Sequence, residues 1–251
     1  MAKLVAWGAL LVAICVGSVL AAEDLSAQDI LDRVDQNMWT ESATAKIKMV
    51  IHTRRRTDEK EMISWSQGSD KSFTEILGPA RDKGSKYLKL GDNMWIYLPS
   101  AEKVIKISGH MLRQSMMGSD FSYEDSLERS QRLRESYAAR LVGTETVGER
   151  PCYVLELSAI KHDVTYFRRR MWIDQERFVG LKEELYARSG KLLKVMAADL
   201  IRTFDGRYYP THVTMEDKLR KGSYTEMFIT EIAFGVDIPP MTFSKTNLAR
   251  K

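Results

Sequence analysis

The feature that most constrains this chain is a period of two. From Ile47 to Phe234, apolar and polar side chains alternate in short runs such as Glu61-Met62-Ile63-Ser64-Trp65, Lys71–Leu77 and Asn93–Leu98. Successive side chains of a β-strand point to opposite faces, so this alternation predicts strands with one buried and one wetter face. The connections are short and turn-like, Gly91-Asp92, Ser189-Gly190 and Asp205-Gly206 among them, which is how antiparallel neighbours are joined. Charges lie inside several runs, Glu183 and Glu184 in one and Arg168, Arg169 and Arg170 in another. The buried parallel strands of an α/β fold would be more uniformly apolar. The runs amount to about eleven strands, and a twisted sheet of that size must curl or split into layers.

Two segments break the period. Leu25-Ser26-Ala27-Gln28-Asp29-Ile30 reads as a capping box, with Leu25 able to staple onto Ile30. Ile30, Leu31, Val34 and Met38 then recur at helical spacing, so this helix has one apolar stripe and must lie on something. Residues 108–136 form the second break, and Met111, Met116 and Met117 fall within it. A structureless loop of that length is uncommon, so short helices or a lid crossing the sheet are expected there. One helix and one insertion are too few to cover both faces. The expected fold is therefore mainly β: a strongly curved antiparallel sheet forming an open, incomplete β-barrel. An N-terminal helix and a helical lid cover its concave side, over an apolar interior that side chains do not entirely fill.

The chain opens with Met1-Ala2-Lys3, an apolar run from Leu4 to Leu20, then Ala21-Ala22 and acidic Glu23-Asp24. This is the layout of a secretory signal peptide over residues 1–22, cleaved at the small residues. An uncleaved anchor is the alternative, but the run is short for a membrane span. Residues 23–251 are then expected to form one exported domain. Cys15 follows Ile14 rather than a small residue and leaves with the peptide, so Cys152 is the only cysteine expected in the mature chain. It lies in a strand-like run with no adjacent base, which reads as an inert buried thiol.

No catalytic constellation emerges. His52, His110, His162 and His212 are isolated in sequence, and no His-Glu-x-x-His, Gly-x-Ser-x-Gly or phosphate-loop motif is present. Asp120, Glu124 and Asp125 read as a turn, helix cap or solvated face. No catalytic residue, metal site or cofactor is expected, and the chain is not expected to be an enzyme. Lys and Arg number 38 against 34 Asp and Glu, a net charge of +4. Of Arg168, Arg169 and Arg170, only two can share a strand face, and Arg54-Arg55-Arg56 sits where a strand turns. With export, this modest excess argues against nucleic acid as a partner. Contact with an anionic membrane surface competes with a plain solvated face, each exposed base there contributing about 1 kcal/mol.

The run Met94-Trp95-Ile96-Tyr97-Leu98-Pro99-Ser100, continuing to Ile107, resembles the Trp-x-Tyr-Leu-Pro signature of the outer-membrane lipoprotein-sorting protein family. Gly118-Ser119-Asp120-Phe121-Ser122-Tyr123-Glu124-Asp125 resembles that family's most distinctive segment, with Ser126 intervening before Leu127 where the family usually continues with Leu. Cys152–Leu157, Arg170–Asp174, Gly190–Lys194 and Ile238–Ser244 match in the expected order. The resemblance spans essentially the whole mature chain, and the ordered set is more specific than any one motif.

The family is similar to the LolA and LolB lipoprotein carriers. The resemblance implies an incomplete antiparallel barrel of about eleven strands that holds acyl chains in its interior. It also implies a periplasmic location, and carriage of a lipoprotein or lipid toward the outer membrane. Met111, Leu112, Met116 and Met117 are expected to line or cover the cavity, joined by Trp95 and Tyr97, against the alternative that all six complete the core. The segment Gly118–Asp125 is expected to latch the lid or to be read by a membrane partner. The alternative function is a non-catalytic interaction module associated with an inner-membrane exporter of the resistance-nodulation-division (RND) type.

Overall fold

The computed structural model describes residues 25–128, 133–162 and 164–250. Residues 1–22, the expected signal peptide, lie outside them. Helix α1 (Ala27–Met38) comes first, followed by β1 (Ser42–His52), β2 (Thr57–Gln67), β3 (Lys71–Gly78), β4 (Lys86–Leu90), β5 (Asn93–Leu98) and β6 (Lys103–Ile107). A short 3-10 turn at Gly109–Arg113 and helix α2 (Tyr123–Glu128) lie in the long insertion. Then come β7 (Tyr137–Val147), β8 (Arg150–Ala159), β9 (Arg168–Asp174), β10 (Gly180–Tyr186), β11 (Leu192–Phe204), β12 (Arg207–Asp217), β13 (Tyr224–Phe234) and a closing helix α3 (Lys245–Ala249). The described residues thus hold thirteen strands rather than about eleven, because every short run that alternates is a strand in its own right.

The strands form one antiparallel sheet in the order β6-β5-β4-β3-β2-β1-β13-β12-β11-β10-β9-β8-β7. It is two meanders, β1 to β6 and β7 to β13, joined where the first strand pairs with the last. The edge strands β6 and β7 do not pair, so the sheet curves without closing. Register shifts at Lys46/Ile47, Glu61/Met62, Leu141/Gly143 and Leu185/Tyr186 mark the bends; an extra residue on one strand tightens its twist and curls the sheet. The topology also explains the long insertion. It connects one edge strand to the other, so it has to cross the open side.

Helix and insertion cover the same face. Met196 of β11 packs with the insertion's methionines. Directly paired residues of antiparallel strands share a face. Met196 is paired with Glu183, Glu183 with Met171, and Met171 with Leu155. Met171 and Leu155 are the residues on which α1 lies, through Ile30, Leu31 and Val34. The capping box forms as expected: the Asp29 backbone N–H donates to Ser26 Oγ (3.1 Å) and the Ser26 backbone N–H to the Asp29 carboxylate (3.0 Å). Full burial of each aliphatic side chain on this stripe contributes about 1.5–3 kcal/mol. Met38 departs from the stripe and is 42% exposed at the helix end. Residues 236–250 pack on the opposite face of β3–β6, where Ile238, Phe243 and Leu248 meet Phe73, Leu88 and Tyr97.

Candidate functional site

The face beneath the insertion is unusually rich in thioethers. Met49, Met62, Met94, Met215 and Met227 are buried there, and Met111, Met116, Met117 and Met196 pack against them. The remaining buried members of this cluster are Ile, Val and Ala198 from alternate strand positions, with Tyr87, Phe121 and Leu127. Methionine has three rotatable bonds and a polarisable sulfur, so such a surface repacks around irregular apolar shapes.

The insertion does not fill this face. A cavity of about 180 Å³ remains between Met116 and Met117 of the insertion and Met49, Met62, Met94 and Met227 of the sheet. A second, of about 260 Å³, continues toward the end of α1 and is bordered by Met38, Trp39, Ala43, Tyr209, Ile232 and Phe234. Both are lined by Ile47, Ser64 and Met227, so the two adjoin along the groove of the concave face. The groove is not wholly apolar. Ser64 and Thr74 bond each other at 2.9 Å along its floor. Lys89 also lines it, its ammonium donating to the Ser69 carbonyl at 2.6 Å. Burial pushes the Lys89 amine below the usual lysine range. Met38 and Trp39, each 42% exposed, stand at the outer mouth.

The segment Gly118–Asp125 ties the insertion to the sheet. Met117 and Gly118 both adopt positive φ, 55° and 80°, and glycine accepts that conformation without strain. The turn lets Ser119 bond back to the Met116 carbonyl at 2.6 Å and aims Asp120 inward. Asp120 is 1% exposed. Its carboxylate accepts from Ser223 Oγ (2.8 and 2.9 Å) and Thr225 Oγ1 (2.7 Å) of the sheet, with the Arg220 guanidinium 3.8 Å away. Arg220 in turn donates to the carbonyls of Ser119 (2.5 Å) and Gly118 (3.1 Å).

Asp125 makes a second tie. It accepts from the Ser122 backbone N–H (2.6 Å), Tyr166 Oη (2.5 Å) and Lys194 Nζ (2.5 Å). Ser122 and Asp125 also cap α2 reciprocally. Burial pushes the Asp125 carboxyl up, but the Lys194 charge and the three donors outweigh it and hold it below the usual carboxylate range. Phe121 plugs the cluster below, and Tyr123 lies 6.4 Å from Tyr87 between ring centroids. Glu124 Oε2 is buried without a hydrogen-bond partner.

Of the residues singled out in the sequence, Met111, Leu112, Met116 and Met117 come together on the insertion, and Met116 and Met117 face the cavity. Trp95 and Tyr97 do not join them. They lie on the opposite face, Tyr97 buried beside Ile238 and Phe243, and Trp95 under Lys245 at 4.3 Å. Their neighbours Met94 and Ile96 take the cavity side, since odd and even positions of β5 point opposite ways. Sequence reasoning missed the sheet methionines Met49, Met62, Met94 and Met227. Their signal was methionine at inward strand positions, legible only once the inward face was known.

His52 and His212, far apart in sequence, share the Glu226 carboxylate at 2.8 and 3.1 Å on the outer face. No group of three or more His, Cys, Asp or Glu among the described residues could hold a metal ion. Arg169 faces inward to a buried pair with Glu183 at 3.0 Å, while Arg168 and Arg170 face outward to Glu156 and Glu145. Cys152 is fully buried, and burial pushes its thiol up from the usual range.

An open thirteen-stranded sheet with a lidded concave groove defines the chain as LolA-like in fold. A DUF1329 family protein from Desulfovibrio piger superposes with a TM-score of 0.82, at 24% identity over 88% of this chain and 97% of that one. A putative outer membrane lipoprotein-sorting protein domain from Vibrio parahaemolyticus gives 0.78, at 25% identity over 89% and 97%. A LolA superfamily protein from Nitrosomonas europaea gives 0.75, at 27% identity over 89% and 100%. Residues 68–250 match the family model described as "-like: Uncharacterized protein", and the chain belongs to that family. No curated protein matches it.

Proposed function

We propose that the protein is a periplasmic carrier, exported by a cleaved signal peptide, that shelters acyl chains of a lipoprotein or lipid for transfer toward the outer membrane. The observation that carries the reading is the groove itself: unfilled space between a methionine-bearing lid and a methionine-rich sheet face. Each acyl CH₂ kept from water is worth about 0.8 kcal/mol, so a lipid chain crosses an aqueous compartment only with shelter. Supporting it are the sorting-type relatives and the absence of any need for a reactive group in such a task. The lid latch made by Asp120, Asp125 and Arg220 holds the cover in place without sealing the outer mouth.

Native mass spectrometry with lipid extraction tests this on protein recovered from the cell envelope without detergent. Stoichiometric acylated cargo is expected, lost in Met116→Lys/Met117→Lys while the fold persists. A protein that is always empty and takes up no offered lipid or lipopeptide would replace the carrier by an interaction module acting with an inner-membrane RND-type exporter.

A further inference from the structure

The two ends of the sheet carry opposite charge. Strand direction alternates, and His52 at the end of β1 pairs with Tyr224 at the start of β13. The β1–β2, β3–β4, β5–β6, β8–β9, β10–β11 and β12–β13 turns therefore share one end. Basic side chains prevail there: Arg54-Arg55-Arg56 in the β1–β2 turn, Arg81 and Lys83 in β3–β4, Arg188 and Lys191 in β10–β11, and Lys218, Arg220 and Lys221 in β12–β13. The β2–β3, β4–β5, β7–β8 and β11–β12 turns at the other end carry Asp70, Asp92, Glu149 and Asp205 instead, and the β9–β10 turn carries Glu176 beside Arg177. In sequence these charges are interspersed and nearly cancel; the meander sorts them.

The basic turns form one surface. Gly222 (φ 74°) lies so close beneath the Arg54 side chain that a Cβ there would stand 2.9 Å from it, so the first and last turns are in contact. Arg54, Arg55, Lys161, Arg188, Lys191 and Lys221 are exposed and make no ion pair among the described residues. Of the acidic groups at this end, Asp58, Asp82 and Glu216 are each taken up by a neighbouring base, Asp217 accepts from the Leu219 backbone N–H, and Glu102 is exposed in the β5–β6 turn. Two apolar tips stand among the bases, Leu219 at 57% exposure and Ile160 at 58%.

We propose that this end is a docking surface for an anionic lipid bilayer, with Leu219 and Ile160 entering the headgroup layer among the basic turns. The bases are spread along a row of turn tips from β2 to β8, about 30 Å at ordinary strand spacing. The cleft beside Leu219, about 170 Å³ and lined by Asp120, Asp217 and Lys194 among others, is too small to seat an extended acidic peptide and carries carboxylates of its own. A plane of negative headgroups matches both the spread and the apolar tips. The surface is distinct from the groove, whose outer mouth beside Met38 and Trp39 opens at the acidic end. It carries the latch, since Arg220 lies in its last turn.

The test is co-sedimentation of the exported protein with vesicles of phosphatidylcholine alone or with about one third phosphatidylglycerol. Binding to the anionic vesicles only, weakening as salt rises, is expected. Each basic side chain near such a surface strengthens binding about five-fold, so Arg55→Glu/Lys191→Glu/Lys221→Glu should weaken it at least about a hundredfold. These three side chains are exposed, so the variant's unfolding midpoint should match wild type. Leu219→Ser should weaken binding several-fold at unchanged charge, and Glu149→Lys at the opposite end should not weaken it. Equal binding to neutral vesicles, or binding that survives the triple reversal, overturns the proposal. Binding to polyglutamate with none to vesicles overturns it in favour of an acidic protein partner. Uptake of a fluorescent fatty acid in vesicle-free solution reports on the groove separately and should be retained by the triple variant.

Discussion

Asp125→Asn should cost more than any other single polar change on the lid. The Asp125 and Lys194 side chains are 6% and 10% exposed and 2.5 Å apart, so solvent screens the pair little. Removing one partner of a buried ion pair typically costs about 3–5 kcal/mol, because the remaining charge is left in a poorly solvated site. The Ser122 N–H and Lys194 both donate to Oδ2, so an Asn amide oxygen placed there can still accept two of the three hydrogen bonds, which puts the expected loss near the lower end of that range. The double variant Asp125→Asn/Lys194→Met should recover part of it, since no stranded charge remains. The sign of the pH dependence follows from the depressed Asp125 carboxyl. A group whose folded pKa lies below its unfolded value of about 3.9 contributes stability that is complete above that value and disappears as pH falls through the folded pKa. The gap between wild type and Asp125→Asn should therefore be constant near neutrality and narrow below about pH 4. Urea unfolding from pH 2 to 7 measures the global part. Amide exchange of residues 116–127 measures the same loss if the lid opens by itself. A variant within about 0.5 kcal/mol of wild type in both measurements at pH 7 would refute the assignment of Asp125 as a latch.

Arg220→Ala removes the donors to the Gly118 and Ser119 carbonyls and should cost about 1.5–3 kcal/mol, read as faster limited proteolysis between Ser108 and Ser122. Ile30→Ala leaves a hole beneath α1 and should lower unfolding free energy by about 2–5 kcal/mol, with local opening of residues 116–127 unchanged, because among the described residues α1 meets the insertion at Leu133–Glu135 and not at that segment. Phe243→Ala should loosen the C-terminal segment from β3–β6 at a cost of about 3–5 kcal/mol, visible as quenching of Trp95 by added iodide. Cys152, buried with its thiol pushed up, should react with a disulfide reagent only at the rate of unfolding.

The period of two, the turn residues and the capping box determined the class of fold, the helix α1 and the strand positions. These are local properties: alternation fixes which side chains share a face, and Ser26 with Asp29 satisfies backbone donors within one turn. The lid could be read as a lid because residues 108–136 keep no strand period and are too long for a turn. What the sequence by itself could not decide is which parity of each strand points inward. A slip of one residue exchanges the two faces, and this is why Trp95 and Tyr97 lie under the C-terminal segment while Met94 and Ile96 face the groove. Nor could it show that Asp120 meets Ser223 and Thr225, that Asp125 meets Lys194, or that His52 and His212 converge on Glu226. Those contacts join residues far apart in sequence, and they arise only where β1 pairs with β13 and the insertion crosses from edge to edge. The same closure sorts basic turns to one end and acidic turns to the other, because antiparallel strands reverse direction at every turn and place alternate connections on opposite sides.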